Sequence, residues 1–248
     1  MGLDLASLPR ANLEAMLTAG KEARECRRVL ARTGDNLVGE LLRGAGPITE
    51  WTHYPAADVC DPITHALYYY HCHPAQAGRR EHGHFHTFLR ASGMPPGVHP
   101  APVPDLARSE IAGEAMSHLV AIAMDAFGAP IRLFTTNRWV TGEVWYAGPD
   151  VISMLDRFQI AQALPSWPVN RWIGAMLRLF RPQIESLIEG RDRAVAELQT
   201  IRANGNALED RAVEVTSEIA IDMDRQIEAV RVALAKRRKP ARAISSLP

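Results

Sequence analysis

The 248 residues of this chain include 28 basic and 28 acidic side chains, so the formal net charge is zero. We expect no nucleic-acid partner, because nucleic-acid binding normally requires an excess of basic residues. The length suits one large or two small domains, and the hydrophobic fraction of 47% is typical of a globular protein.

The chain shows no targeting or membrane signal. Its first residues, MGLDLASLPR, lack the basic and apolar segments of a secretory signal, and no uncharged apolar run approaches the roughly 18–20 residues that cross a bilayer. Cys26, Cys60 and Cys72 lie in dissimilar contexts, which disfavours a disulfide framework. We therefore expect a soluble, reduced, cytoplasmic protein without a membrane partner.

Two helices are predicted in the first 46 residues. After Pro9, one apolar stripe recurs with helical spacing, and its members are Leu13, Met16, Leu17, Gly20 and Leu30. Asp35 could cap a second, short helix through Leu42, and Gly44 and Gly46 would end it. A loop that contains Pro47, Pro55 and Pro62 is expected to follow.

The middle of the chain changes to the composition of strands. The segment ITHALYYYHCH (63–73) is rich in β-branched and aromatic residues, and HGHFHTFLR (82–90) would be its hairpin partner. Two more strands are expected around the turn AFGAP (126–130), and a further strand after Gly142. Consecutive strands with short connections predict an antiparallel sheet.

The last third has the pattern of packed helices. Residues spaced by seven mark a packing seam, first Ile173, Phe180, Leu187, Ala194 and Ile201, then Val213, Ala220, Ile227 and Leu234. The turn RANGNALED (202–210) would close an antiparallel helical hairpin, and Pro182 should kink or restart its first helix. The hairpin would pack in the core or form a homodimer interface.

These elements predict an α+β protein. Its mainly antiparallel sheet, which could be barrel-like, is combined with an N-terminal helix and a C-terminal antiparallel helical hairpin. The expected division assigns residues 1–46 to the N-terminal helices, 47–148 to the histidine-rich sheet that carries the site, and 149–240 to the hairpin.

Five of the nine histidines lie between residues 71 and 86. In a strand, residues two apart point to the same face, so a hairpin in register would gather these imidazoles on one side. Crowded imidazoles repel when charged and lack partners when neutral and buried, whereas a divalent metal ion resolves both problems. The predicted ligands are His71, His73, His84 and His86, followed by His82.

Four other residues are candidates for catalytic roles. Tyr69 shares the face of His71 and could donate a hydrogen bond or relay protons, and Glu81, at the edge of the loop, could also move protons. Arg90, on the face of His84, and Arg138 could each hold an anionic substrate group.

Two short stretches resemble known families. HGHFHTF (82–88) resembles the histidine-triad motif of nucleotide hydrolases and transferases, and that resemblance implies that His84 attacks phosphorus. The stretch HCH (71–73) followed by Glu81 resembles the first metal motif of cupin barrels.

The leading hypothesis is a metal-dependent enzyme acting on a small substrate that we expect to be anionic. Non-haem iron oxidation or oxygenation comes first and zinc-type hydrolysis second; manganese would also suit the ligands. Two alternatives stay open at this point, namely metal-free phosphoryl or nucleotidyl transfer through His84 and a non-catalytic metal- or haem-binding protein.

Overall fold

A computed structural model of the chain describes residues 4–74, 78, 80–103, 115–202 and 205–237. The basic tail beyond residue 237, most of the loop between residues 75 and 79, and positions 203 and 204 of the predicted turn lie outside these ranges. Within the ranges given, no helix combines the length and the apolar character that a membrane span requires.

Seven α-helices and six strands are present in the described residues. The helices are α1 (Arg10–Ala31), α2 (Leu37–Leu42), α3 (Arg138–Thr141), α4 (Gly148–Met154), α5 (Trp167–Leu179), α6 (Arg181–Ile201) and α7 (Met223–Lys236). The strands are β1 (Tyr54–Cys60), β2 (Ala66–Cys72), β3 (Glu81–Arg90), β4 (Met116–Asp125), β5 (Pro130–Thr136) and β6 (Val215–Ala220). Short 3₁₀ turns occur at Leu5–Ser7, Ala91–Gly93, Leu155–Arg157 and Ala207–Glu209.

The six strands form one antiparallel sheet in the order β1-β2-β3-β4-β5-β6. The α+β class, the N-terminal helix, the mainly antiparallel sheet and the C-terminal helices are therefore confirmed. The two predicted N-terminal helices are also present, although Asn36 rather than Asp35 caps α2 by accepting hydrogen bonds from the N–H groups of Val38 and Gly39.

Three predicted local assignments were wrong at the margins of the sheet. The expected loop around Pro55 contains β1, an edge strand, where the missing N–H of proline is tolerated. Residues 143–147 form no strand. Residues 215–220, predicted as part of a helix from Val213 to Leu234, form β6 instead, and pair with β5.

The C-terminal helices are connected differently from a simple hairpin. Helix α5 ends before Phe180, and Pro182 lies in the first turn of α6, so the predicted restart of the helix at this proline is confirmed. Helix α7 follows β6 and packs against α1 through a small apolar cluster that contains Leu13, Met16, Val230 and Ala233.

The two faces of the sheet have different surroundings. One face, which carries Tyr68, Tyr70 and Phe85, packs on the helices, and the Phe85 ring lies 5.8 Å from the ring of Trp172 on α5. All three segments of the predicted division contribute to this largest hydrophobic cluster, and the division itself stays a prediction. The opposite face carries the histidines.

Candidate metal centre

The pairing of β2 with β3 sets the positions of the histidines. His71 lies directly opposite His84, and Tyr69 lies opposite His86. Since side chains alternate along a strand, these four residues point to the same face of the sheet. His73 follows the end of β2 and keeps the hairpin pairing, because its N–H donates to the carbonyl of His82 over 3.0 Å.

His84 lies at the centre of a group of ring nitrogens that we call the histidine cluster, comprising His71, His73, His84 and His86. Nε2 of His84 is 2.7 Å from Nε2 of His71 and 2.9 Å from Nε2 of His86. Its Nδ1 is 3.0 Å from Nε2 of His73. His71, His73 and His84 can each place one ligand atom within 4.8 Å of the others, so these three residues could hold a metal ion.

Glu81 fixes the orientation of the central ring. Its Oε1 lies 2.7 Å from Nδ1 of His84, and its Oε2 accepts a hydrogen bond from Arg132 over 2.6 Å. Burial alone would raise the pKa of Glu81, but the hydrogen bonds from His84 and Arg132 outweigh burial and lower this pKa to about 2. An ionised carboxylate only accepts hydrogen bonds, so Nδ1 of His84 carries the proton and Nε2 presents a lone pair.

A second chain of contacts supports His86. Its Nδ1 is 3.0 Å from Nε2 of His118, and Nδ1 of His118 is 3.5 Å from Oγ1 of Thr136. The backbone N–H of His118 donates to Glu143 over 2.6 Å. If His86 donates through Nδ1 to His118, its Nε2 is free to act as a ligand.

Three imidazoles of the cluster, those of His71, His84 and His86, favour their neutral form. Burial is the main cause, and the neighbouring histidines add to it, so the pKa of His71 falls to about 3 and that of His86 falls well below its ordinary value. Burial also lowers the pKa of His84. Neutral imidazole is the form that binds metals, so the protonation state of these three rings suits metal binding at neutral pH.

The structure does not bring the remaining predicted ligand to the cluster. His82 lies on the other side of β3, where its Nδ1 is 2.7 Å from the hydroxyl of Tyr70, a residue of the helix-covered face. The pairing of β3 with β4 shifts register between Glu81 and Gly83. This irregularity lets Glu81 point toward the cluster, as its proximity to the loop had suggested.

Of the other three predicted catalytic residues, one lies beside the histidine cluster and two lie elsewhere. Tyr69 lies beside the cluster, with its ring centroid 5.1 Å from that of His86, and burial raises the pKa of its hydroxyl. Arg90 lies at the far end of β3, opposite Met116. Arg138 lies on α3, where its buried side chain forms an ion pair over 2.7 Å with the half-exposed Glu209.

Sequence reasoning missed Arg132 and Trp51 as neighbours of the site. Arg132 lies two residues before Phe134 on β5, so both side chains point to the face of the sheet that carries the cluster. Only the strand order reveals that β5 lies near the histidines. Trp51 lies in a proline-containing loop with no periodic signal, yet its ring centroid is 4.7 Å from that of His73.

The part of the chain that contains the candidate metal centre matches one protein family. A family model described as a domain of unknown function (DUF6969) matches residues 17–221. The chain belongs to the DUF6969 family. The matched residues of this DUF6969 protein include all six strands and the histidine cluster. The comparisons with curated proteins and with solved structures each found no match.

Proposed function

We propose that this DUF6969 protein binds one divalent transition-metal ion and uses it for chemistry on a small molecule. The proposed ligands are the four imidazoles of the histidine cluster. His84 and His86 would bind through Nε2, because their Nδ1 atoms face Glu81 and His118, respectively. Metal-ligating histidines commonly donate their second ring N–H in this way, which fixes the tautomer and the ring orientation.

One observation carries this proposal, namely the convergence of ring nitrogens at Nε2 of His84. This atom has a single lone pair when Nδ1 of His84 donates its hydrogen bond to Glu81, so it can satisfy only one donor well. Two other Nε2 atoms nevertheless lie within 2.9 Å of it. A metal ion with bonds of about 2.1 Å to each nitrogen would satisfy all three lone pairs and place its ligands roughly 3 Å apart.

Iron-dependent oxidation or oxygenation is our first choice for the chemistry. Imidazole ligands suit iron as well as zinc, and the group of described residues that could hold an ion contains no cysteine. Cys72 lies on the helix-covered face of the sheet. A six-coordinate iron ion held by four imidazoles would keep two coordination positions for a small molecule. The bound ion would supply redox or Lewis-acid chemistry, while Glu81 and His118 keep the ligands oriented.

Zinc-dependent hydrolysis is the second candidate, favoured by a histidine–aspartate pair beside the cluster. Nδ1 of His53 is 2.9 Å from Oδ1 of Asp58, and the ring of His53 is 6.3 Å from that of His71. A carboxylate that orients an imidazole makes it an effective proton acceptor, which hydrolysis requires.

The proposal places no charge requirement on the substrate. Arg132, the arginine that contacts Glu81, also pairs with Glu218, so two carboxylates neutralise it. The two arginines predicted as anion clamps, Arg90 and Arg138, lie away from the cluster.

Elemental analysis of the purified protein tests the metal site. We expect about one equivalent of metal per chain in the wild type, with most of it lost in His84→Ala. His82→Ala is the matched control, because His82 lies on the same strand but outside the cluster, and it should retain the metal. A wild type that neither contains nor takes up iron, zinc or manganese would contradict the proposal. The identity of the metal then separates the redox candidate from the hydrolytic one.

A further inference from the structure

The histidines of the cluster are covered to different degrees. His86 is completely buried, the side chains of His73 and His84 are 2% and 4% exposed, and His71, at 9%, is the most exposed residue of the four. A molecule approaching the proposed metal ion would therefore come from the side of His71. What surrounds this ring determines which molecules fit.

Two further rings flank this approach. The ring of Trp51 stands edge-on to His71 and His73, with centroid distances of 5.7 and 4.7 Å. On the other side of His71, the ring of His53 lies flat on Tyr69 at 3.6 Å, with an interplanar angle of 9°. His71 thus lies between an indole and a stacked imidazole–phenol pair.

Trp51 is held in a conformation that packing in the core does not explain. Its backbone φ is +65°, in the left-handed region that large side chains seldom adopt. Its N–H donates to the carbonyl of Cys72 over 3.1 Å, which ties it to the end of β2, yet its side chain remains 56% exposed. Strained residues of this kind cluster at ligand-binding positions.

The stacked pair on the other side is also partly open to solvent. The side chain of His53 is 41% exposed, and Asp58, which holds its Nδ1, has a φ of +34°. Tyr69 is buried beneath it and continues the aromatic contact to Phe88 over 5.6 Å. Both sides of the approach therefore present flat, π-rich surfaces. The guanidinium of the nearby Arg132 is paired with Glu81 and Glu218.

We infer that Trp51 and the His53–Tyr69 stack form the two walls of a binding slot for a planar aromatic ring. The substrate class is then an aromatic molecule with an oxygen donor that binds the metal. This inference rests on the proposed metal site and adds to it the class of molecule that the site selects. Aromatic walls favour flat rings because offset and edge-to-face contacts add attraction beyond the burial of apolar area.

Two hydroxamic acids test the slot separately from the metal. Benzohydroxamic and acetohydroxamic acid carry the same chelating group, and only the first carries an aromatic ring. Protein loaded with Co²⁺ is titrated with each acid, and the visible absorption of the ion reports binding. We expect Trp51→Ala to weaken benzohydroxamic acid about fivefold, as the loss of one aromatic contact implies, and to leave acetohydroxamic acid unchanged.

Two further variants make the result specific. Trp51→Phe keeps a ring and should retain most of the preference for benzohydroxamic acid. Trp167→Ala removes another exposed tryptophan, on α5 behind the opposite face of the sheet, and should have no effect on either acid.

The possible failures can be distinguished. If Co²⁺ binds but Trp51→Ala weakens both acids equally or neither, the aromatic slot is wrong while the metal site stands. If Co²⁺ binds and neither acid changes the spectrum of the wild type, the inferred approach is closed and the slot is again wrong. If Co²⁺ does not bind, the proposed metal site is wrong, and the inference of an aromatic slot, which depends on it, is wrong as well.

Discussion

At the level of single residues, the centre depends on how hydrogen bonds distribute protons over the rings. The ionised Glu81 selects the tautomer of His84, and His118 can accept a hydrogen bond from Nδ1 of His86. Each partner leaves an Nε2 lone pair facing the same region of the cluster. The proposed metal binding therefore depends on residues that would not themselves be ligands.

Removing the charge of Glu81 should weaken metal binding. Glu81→Gln keeps the size of the side chain, but it loses the carboxylate that holds the proton on His84, so we expect metal affinity to fall about 10- to 100-fold. Competition with a chromogenic chelator measures this affinity. Glu218→Gln is the control, because it removes the other, exposed partner of Arg132 and should change affinity much less. Equal losses in both variants would mean that Arg132, not the ring of His84, transmits the effect.

The buried neutral histidines should make the metal-free protein sensitive to acid. Burial lowers the pKa of His71 and of His118 to about 3 in the folded state, whereas the unfolded chain binds these protons near pH 6.5. Between these values the unfolded state holds more protons, so stability is complete above about pH 6.5 and falls as the pH decreases. Each histidine should cost about 1.4 kcal/mol between about pH 7.5 and 5.5.

Urea unfolding of the metal-free protein at these two pH values measures the loss. His118→Gln should reduce the pH dependence, while His99→Gln, at an exposed position, should leave it unchanged. A free energy of unfolding that stays constant from pH 7.5 to 5.5 would show that these rings are not held neutral.

At the level of elements, the β2–β3 hairpin was predictable and its surroundings were not. Alternation in ITHALYYYHCH and HGHFHTFLR predicts which side chains of each strand share a face, and the observed pairing of His71 with His84 places the two sets on the same face. The irregular pairing near Glu81 depends on β4, so local sequence could not show that His82 leaves the cluster. The heptad spacing through Val213 and Ala220 suggested a helix, because short apolar runs fit both periods.

Gly83 should be essential to this hairpin. A Cβ at this position would clash with the backbone oxygen of His71 and lie 2.6 Å from the hydroxyl of Tyr70, so β2 and β3 would have to move apart where the proposed ligands pair. We expect Gly83→Ala to destabilise the protein by about 1–3 kcal/mol and to weaken metal binding.

The matched control for this substitution is Gly174→Ala on α5. A Cβ there would meet Arg178 at 3.4 Å, an ordinary contact, and alanine favours the helix, so stability should be unchanged or slightly higher. Urea midpoints and chelator competition report both quantities. A Gly83→Ala protein with wild-type stability and affinity would show that the close pairing around His71 is not required.

At the level of the whole molecule, one face of the sheet supplies apolar packing and the opposite face carries the proposed metal site. Its helix-covered face belongs to the largest hydrophobic cluster, whereas the histidine face, as far as the structure describes it, carries two small apolar groups, around Tyr69 and around Phe134. The buried polar residues on that face are costly without partners. A metal ion that binds them in the folded state alone would therefore contribute to the stability of the whole chain.

Metal binding should raise the melting temperature through this linkage. A ligand at about 1,000 times its dissociation constant stabilises the folded state by about 4 kcal/mol, which for a chain of this length corresponds to about 10 °C. Thermal unfolding with Fe²⁺ under anaerobic conditions, or with Zn²⁺, measures the shift. The shift should disappear in His84→Ala and persist in His82→Ala, since only the first removes the central ring of the cluster. An equal shift in both variants would place the stabilising ion elsewhere in the molecule and would leave the histidine cluster without its proposed role.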